Sequence, residues 1–166
     1  AAQALRMEVE QTRVTIATGH AGDAIARADE IDARAIEVDY APLRAETSLL
    51  AAEVRMFAGD PAGAATRLRH VVALGREAKH PLVEFAAWHR LAHVTGVLDR
   101  NYDEAVWYLE LAQGLDRSMP PDRRRQYLLL LIRAPVSAEA GKLDQTVAGG
   151  GGAAPLAIPM DGGGSA

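Results

Sequence analysis

Apolar residues recur every three to four positions along most of the chain, and turn-forming residues separate one such stretch from the next. This spacing is typical of amphipathic helices, whose apolar residues share one face. Start signals support the boundaries: Asp60 can cap free backbone N–H groups, and Asn101 with Glu104 resembles a capping box. The pattern predicts seven helices, at about 3–18, 21–38, 41–57, 60–79, 81–99, 101–118 and 121–133.

Three alanines stand at equivalent places in the predicted helices. Ala24, Ala64 and Ala105 are 40 and 41 residues apart, and each follows a turn signal. A fixed period of this size is typical of stacked helical repeats. We therefore expect an all-α, right-handed superhelical stack of antiparallel helix pairs, in which these alanines are buried where the two helices of a pair cross. The pairs are predicted at about 3–38, 41–79 and 81–118.

The pairs resemble tetratricopeptide (TPR) repeats, whose pattern is W-x2-L-G-x2-Y on the first helix and A-x3-F on the second. The third pair carries Trp88-x2-Leu91-Ala92-x2-Thr95 and then Ala105-x3-Leu109. The second pair is weaker and the first is degenerate, while HEAT-type repeats are the competing architecture at this period. Because the period exceeds the usual length of about 34 residues, the chain is similar to the long-repeat variety attached to bacterial signalling kinases and ATPase regulators. The resemblance implies a non-enzymatic scaffold that binds a protein or peptide.

In the TPR family the first helices of successive pairs line a concave groove that binds peptides. Transferred to this chain, that role identifies eight groove candidates: Glu8, Thr12, Thr15, Ser48, Ala52, Arg55, His89 and His93. A register shifted by one residue would instead expose Arg13, Leu49, Glu53, Arg90 and Val94.

The C-terminal third differs from the repeats in composition. The terminal helix at 121–133 carries five consecutive apolar residues with no polar break, so we expect another subunit or the chain's own tail to cover this face. Residues 134–152 are predicted to be a linker that ends the 1–133 repeat domain, followed by an apolar and glycine-rich peptide at 153–166. Two further functions remain open: presentation of 153–161 to a modifying enzyme or protease, and oligomerisation. The interface candidates are Leu128, Leu130, Leu131 and Ile132, and the docking-peptide candidates are Leu156, Ile158 and Met160.

Charge and composition exclude several classes of function. The formal net charge is −4, so we expect neither nucleic acid nor an anionic membrane as a partner. The chain contains no cysteine, which rules out disulfides, thiol catalysis and thiolate metal sites. With no long apolar run and no signal-peptide pattern, a cytoplasmic protein is expected.

The remaining candidate chemistry is sparse. His89 and His93 share one helical face, but a metal site needs a third ligand, and Glu84 lies on another face. We therefore interpret the two histidines as a neutral, partly buried or groove-lining pair, and we predict no metal and no cofactor. Trp88, Trp107 and Tyr108 are interpreted as packing residues. No serine or carboxylate stands in a catalytic context, so no catalytic residue and no enzyme are predicted.

Overall fold

A computed structural model describes residues 2–150, with side chains for residues 2–141. A short 3-10 turn at Gly22–Ala24 precedes the second helix, and no strand occurs within the described residues. The predicted all-α fold is confirmed in this part of the chain. The helices are α1 (Ala2–Ala17), α2 (Ile25–Ile36), α3 (Ala41–Phe57), α4 (Pro61–Glu77), α5 (Pro81–His93), α6 (Tyr102–Ser118) and α7 (Arg123–Gly150).

Helix α3 is the centre of the stack, because its buried residues belong to two apolar clusters. Leu43, Leu50 and Val54 pack with α1 and α2. On another face of α3, Ala45, Leu49 and Ala52 belong to a cluster that continues through α4, α5, α6 and α7. Each helix thus packs against its neighbours in sequence, as expected for helix pairs joined by short turns.

The three alanines of the repeat are buried, as predicted. Ala64 is fully enclosed in α4, whereas Ala62, two residues earlier in the same helix, is exposed. We expect Ala64→Leu to destabilise the fold by about 1–3 kcal/mol, because a larger side chain overpacks the helix crossing. Ala62→Leu is the matched control and should change stability by less than about 0.5 kcal/mol. Chemical denaturation followed by circular dichroism measures both, and equal effects would contradict the packing role of Ala64.

Five of the turns between helices share one feature of backbone conformation. Each contains one residue with a positive φ, at Gly19, Asp39, Gly59, Lys79 and Arg100. At the last four turns, the next residue occupies the N-cap position of the following helix. The Asp60 carboxylate accepts a hydrogen bond from the Gly63 N–H at 2.9 Å, and the Asn101 side chain accepts one from the Glu104 N–H at 3.4 Å. Both residues are therefore confirmed as N-caps, although the Asn101 backbone N–H donates to the Thr95 carbonyl and not to the Glu104 carboxylate as in a full capping box.

Gly19 and Gly59 have φ values of +87° and +84°, a conformation that favours glycine, and no atom lies within 4 Å of a Cβ placed at either residue. Gly59→Ala is expected to cost about 1 kcal/mol of stability through backbone strain alone. Gly114→Ala is the matched control, because Gly114 lies within α6 with nothing near a new methyl group. Here alanine should stabilise the protein by about 0.5–1 kcal/mol. Melting temperatures that shift in the same direction would contradict this account.

The end of the chain differs from the sequence prediction. Helix α7 runs from Arg123 to Gly150, so it passes the predicted end at residue 133 and crosses most of the 134–152 segment that was expected to be a linker. It does so despite Pro135, an exposed residue inside the helix. Tertiary packing offsets the cost of the proline, because Ile132 and Val136 are buried.

A widened helical turn makes room for Val136. The fifth predicted helix was expected to run to residue 99, but α5 ends at His93 and a π-helical turn follows at Val94–Leu98. Gly96 lies in this turn, and a Cβ placed there would approach Val136 Cγ2 to 2.6 Å and Ala105 Cβ to 2.8 Å. The absence of a side chain at Gly96 thus allows α6 and α7 to pack closely on the turn.

Candidate functional site

An open cleft of about 1010 Å³ lies along the first helices of the three pairs, α1, α3 and α5, and ends at the start of α7. These are the helices that line the groove in the family that the sequence resembles. The residues lining the cleft include Arg6, Val9, Glu10, Arg13, Ile16, Glu46, Leu49, Glu53, Phe57, His80, Leu82, Val83, Ala86, Arg90 and Arg124.

None of the eight groove candidates chosen from the sequence lines this cleft. Glu8 instead faces α2, where both of its carboxylate oxygens accept hydrogen bonds from Arg34 at 2.8 and 3.0 Å. Thr12, Ser48 and Ala52 are buried, and Thr15 donates to the Gln11 carbonyl of its own helix. These candidates therefore lie on other faces of the first helices than the one that lines the cleft.

Arg55, another of the eight, belongs to an ion-pair network that joins the first two pairs. Its guanidinium donates to both carboxylate oxygens of Asp29, at 2.9 and 2.7 Å. These bonds, with the nearby charge of Arg67, hold the pKa of Asp29 below its usual value. Arg67 also reaches Asp32 at 3.1 Å, and Asp32 accepts from Thr47. These side chains are one another's hydrogen-bond and ion-pair partners, and they therefore have a structural role.

The cleft follows the alternative register. Arg13, Leu49, Glu53 and Arg90 all line it, while Val94, the fifth residue of that register, is fully buried in the π-helical turn. A shift of one residue rotates a side chain by about 100° around a helix, which is enough to move it from one face to the next.

A buried carboxylate lies at the centre of the cleft. The Glu53 side chain is only 6% exposed and forms ion pairs with Arg90 of α5 and with Arg13 of α1, the latter at 3.5 Å. Burial lowers the pKa of the Arg90 guanidinium, and the charge of Glu53 opposes that effect. Because a guanidinium keeps its proton in proteins, the three side chains form a fixed charged floor across α1, α3 and α5.

The walls of the cleft combine exposed apolar side chains with further charges. Phe57 is 61% exposed and Leu82 is 51% exposed, so both apolar side chains are accessible to a partner. Arg6 makes a bidentate pair with Glu46 at 3.0 and 3.1 Å. Arg124 makes no ion pair with any side chain among residues 2–141. The cleft therefore offers both apolar and charged contact surface.

The two histidines, His89 and His93, are buried to different degrees in the fold. His89 is buried, its ring stacks on Phe85 at 6.0 Å, and its Nε2 lies 3.0 Å from the Leu128 carbonyl of α7. Since a carbonyl only accepts, Nε2 carries the proton and donates it. Burial lowers the pKa of His89 to about 4 and also lowers the pKa of the half-buried His93. Among the described residues there is no cluster of three side chains that would hold a metal ion.

An aromatic cluster lies where α4, α5 and α6 meet. Trp88 stacks on Tyr108 at 5.5 Å and meets Trp107 edge-on at 6.0 Å, and the Arg76 guanidinium lies 5.6 Å above the Trp88 ring. Trp88 and Tyr108 are buried, as their predicted packing role requires. Trp107 contacts the cluster but remains more than half exposed.

The apolar run on α7 is divided between two faces. Leu129 and Ile132 are buried against the preceding helices, so Ile132, chosen as an interface candidate, belongs to the core. Leu130 and Leu131 are 62% and 52% exposed, and Leu128 is half-buried. The docking-peptide candidates at 156, 158 and 160 lie outside the described residues.

No protein-family model matches the sequence, and no curated protein is similar enough to match. Two solved structures do, both of nearly identical TPR-like repeats assigned to a putative kinesin light chain from Podosopora anserina. One is 20% identical with a TM-score of 0.66, covering 96% of this chain and 81% of that chain. The other, a variant with a single substitution, is 21% identical with a TM-score of 0.65, covering 89% and 74%.

At this level of identity the likeness shows the fold alone. The described part of the chain is a helical solenoid of TPR-like pairs. Within residues 2–150, no helix is both long and apolar enough to cross a membrane.

Proposed function

We propose that this chain is a non-enzymatic scaffold that binds a peptide segment of a partner protein in the cleft along α1, α3 and α5. The observation that carries the proposal is the composition of this cleft. Exposed Phe57 and Leu82 lie in the same concave surface as the buried Glu53 and its two arginines. Exposed apolar residues beside fixed polar groups are typical of recognition surfaces.

The size and shape of the cleft favour a peptide over a small molecule. Its volume of about 1010 Å³ is at the upper end of the range for small-molecule pockets, and it runs across three helices instead of closing around a ligand. Phe57 and Leu82 would receive apolar side chains of the peptide. Arg124, which has no ion-pair partner in the described part of the chain, would meet its backbone carbonyls or polar side chains.

The proposal is tested by selecting peptides from a displayed random library on the full chain and measuring their affinity by fluorescence anisotropy. Phe57→Ala/Leu82→Ala should weaken the selected peptides by at least about 10-fold, since both side chains are surface contacts. Ile36→Ala/Leu98→Ala is the matched control, because these side chains are similarly exposed but do not line the cleft. Equal losses in both variants, or none in either, would contradict binding in the cleft.

The cellular context is a separate part of the proposal. We infer a cytoplasmic regulatory or signalling protein of bacteria from the long repeat period and the alanine- and arginine-rich composition. The alternative function, presentation of residues 153–161 to a modifying enzyme or protease, concerns residues outside the described part of the chain. Deleting 149–166 separates the two functions, since a cleft binder keeps its partner and a presenter loses it.

A further inference from the structure

The outer face of α7 is apolar and has no neighbour among the described residues. Buried Leu129, Ile132 and Val136 form its inner face, and the opposite face carries no charged side chain for about four turns. The end helix of a solenoid normally has a polar outer face, and α7 is the end helix within residues 2–150, so this stripe is unusual there. Its exposed residues are Tyr127, Leu130, Leu131, Ala134, Ser137, Ala138 and Gly141.

Side-chain size changes along this stripe in one direction. The large residues Tyr127, Leu130 and Leu131 occupy its N-terminal half. The C-terminal half contains only small residues, from Ala134 to Gly141. A second helix running in the same direction would place large residues against large ones and leave a gap between the small ones. An antiparallel copy of the same helix would place large residues against small ones.

We propose that two copies of this chain dimerise through antiparallel pairing of their α7 helices, with the two-fold axis close to Ala134. In this register Leu130 of one copy packs among Ser137, Ala138 and Gly141 of the other, and Ala134 faces its own equivalent. A two-fold interface must be self-complementary, and the size gradient supplies that complementarity. Small residues at the crossing let the two backbones approach closely, which fills the position beside α7 that a further helix would occupy.

The pairing has a consequence for the cleft. Arg124 lines the cleft at the start of α7, about one quarter of a turn away from the stripe. In the antiparallel dimer the two copies of Arg124 are about 30 Å apart along the paired helices. The two clefts are therefore separate sites on the dimer, and a partner with two binding segments would gain avidity. The dimer itself does not depend on what the cleft binds.

Sedimentation velocity of the full chain between about 1 and 200 µM tests the dimer, because one helix pair buries an area at the low end of specific interfaces and implies micromolar dissociation. We expect a reversible dimer of twice the 17.7 kDa monomer mass. Leu130→Glu/Leu131→Glu should weaken it at least about 100-fold. Met7→Glu/Val14→Glu, which changes two equally exposed residues on α1, should leave it unchanged.

Single cysteines test the register, because the natural sequence contains none. Ala134→Cys should form a disulfide-linked dimer rapidly under mild oxidation, whereas Tyr127→Cys and Gly141→Cys should not, since each is about 20 Å from its own equivalent. Comparable crosslinking at all three positions would overturn the antiparallel register. A protein that is monomeric at every concentration would overturn the dimer. If such a monomer dimerises only after removal of 151–166, the tail is the occupant instead.

Discussion

Replacing Arg90 with leucine is expected to destabilise the fold by about 3 kcal/mol, because the change removes the closest partner of a buried carboxylate. Glu53 is almost fully buried, and its remaining ion pair, with Arg13, is 3.5 Å long. Desolvating a charge without adequate pairing costs several kcal/mol, so the loss exceeds that of an ordinary surface ion pair. Urea denaturation followed by circular dichroism gives the change in the free energy of unfolding.

Two further variants distinguish the cost of leaving Glu53 buried without a close partner from the cost of losing an exposed arginine. In Glu53→Leu/Arg90→Leu no buried carboxylate remains, so most of the lost stability should return. Arg6→Leu is the matched control, since Arg6 also pairs with a glutamate of α3, Glu46, but is about half exposed, and it should cost less than about 1 kcal/mol. A loss for Arg90→Leu no larger than that for Arg6→Leu would contradict the account. The account would also be contradicted if Glu53→Leu/Arg90→Leu were less stable than Arg90→Leu.

The sequence predicted the architecture well because the relevant signals are local. The turn geometry, the Asp60 and Asn101 caps and the buried alanines each depend on residues within one or two helical turns. Such signals repeat with the 40-residue period and therefore support one another.

The end of α7 was predicted incorrectly because its stability is tertiary. Pro135 and the glycines near 150 argue for a linker by composition. The helix continues past Pro135 because Val136 fits against Gly96, which lies in a π-helical turn 40 residues earlier in the chain. No pattern within 134–150 reveals this contact.

The cleft lies on a face of the first helices that is shifted by one residue from the predicted groove candidates. Ser48 and Arg55 have the polarity expected of a groove, yet they donate hydrogen bonds to Asp32 and Asp29 of α2, respectively. Glu53 and Arg90 look like ordinary surface charges in the sequence, yet they pair at the centre of the cleft. Polarity alone does not distinguish a solvent-facing residue from one with a partner on the next helix, so the ion pairs had to be seen in three dimensions.

Acidification is expected to loosen the contact between α5 and α7 through His89. The pKa of His89 is about 4 in the folded chain, against 6.5 for an unperturbed imidazole, because burial disfavours the charged ring. Arg90 and His93 act in the same direction, and the hydrogen bond to the Leu128 carbonyl opposes them. Between these two values the unfolded chain binds more protons than the folded one, so stability rises with pH.

The contribution of His89 is therefore fully present above about pH 6.5 and is lost as the pH falls towards 4. The difference between the two pKa values corresponds to roughly 3 kcal/mol, to which His93 adds in the same direction. Some carboxylates have a lowered pKa in the folded chain, among them Asp29 and Glu8, and their protonation on acidification also reduces the stability of the protein. Their contribution falls mainly below about pH 4.5, so the window from 6.5 to 4.5 reports chiefly on the histidines.

His89→Gln isolates the effect, because the glutamine amide keeps an N–H donor for the Leu128 carbonyl but does not titrate. We expect the free energy of unfolding of this variant to fall only by the smaller share of His93 between pH 6.5 and 4.5, while that of the natural chain falls by about 2–3 kcal/mol. His70→Gln is the matched control, since His70 is an exposed histidine on α4, and it should keep the natural pH dependence. If the free energy of unfolding of His89→Gln depends on pH as steeply as that of the natural chain, the His89 imidazole is not the group that couples protonation to the packing of α7.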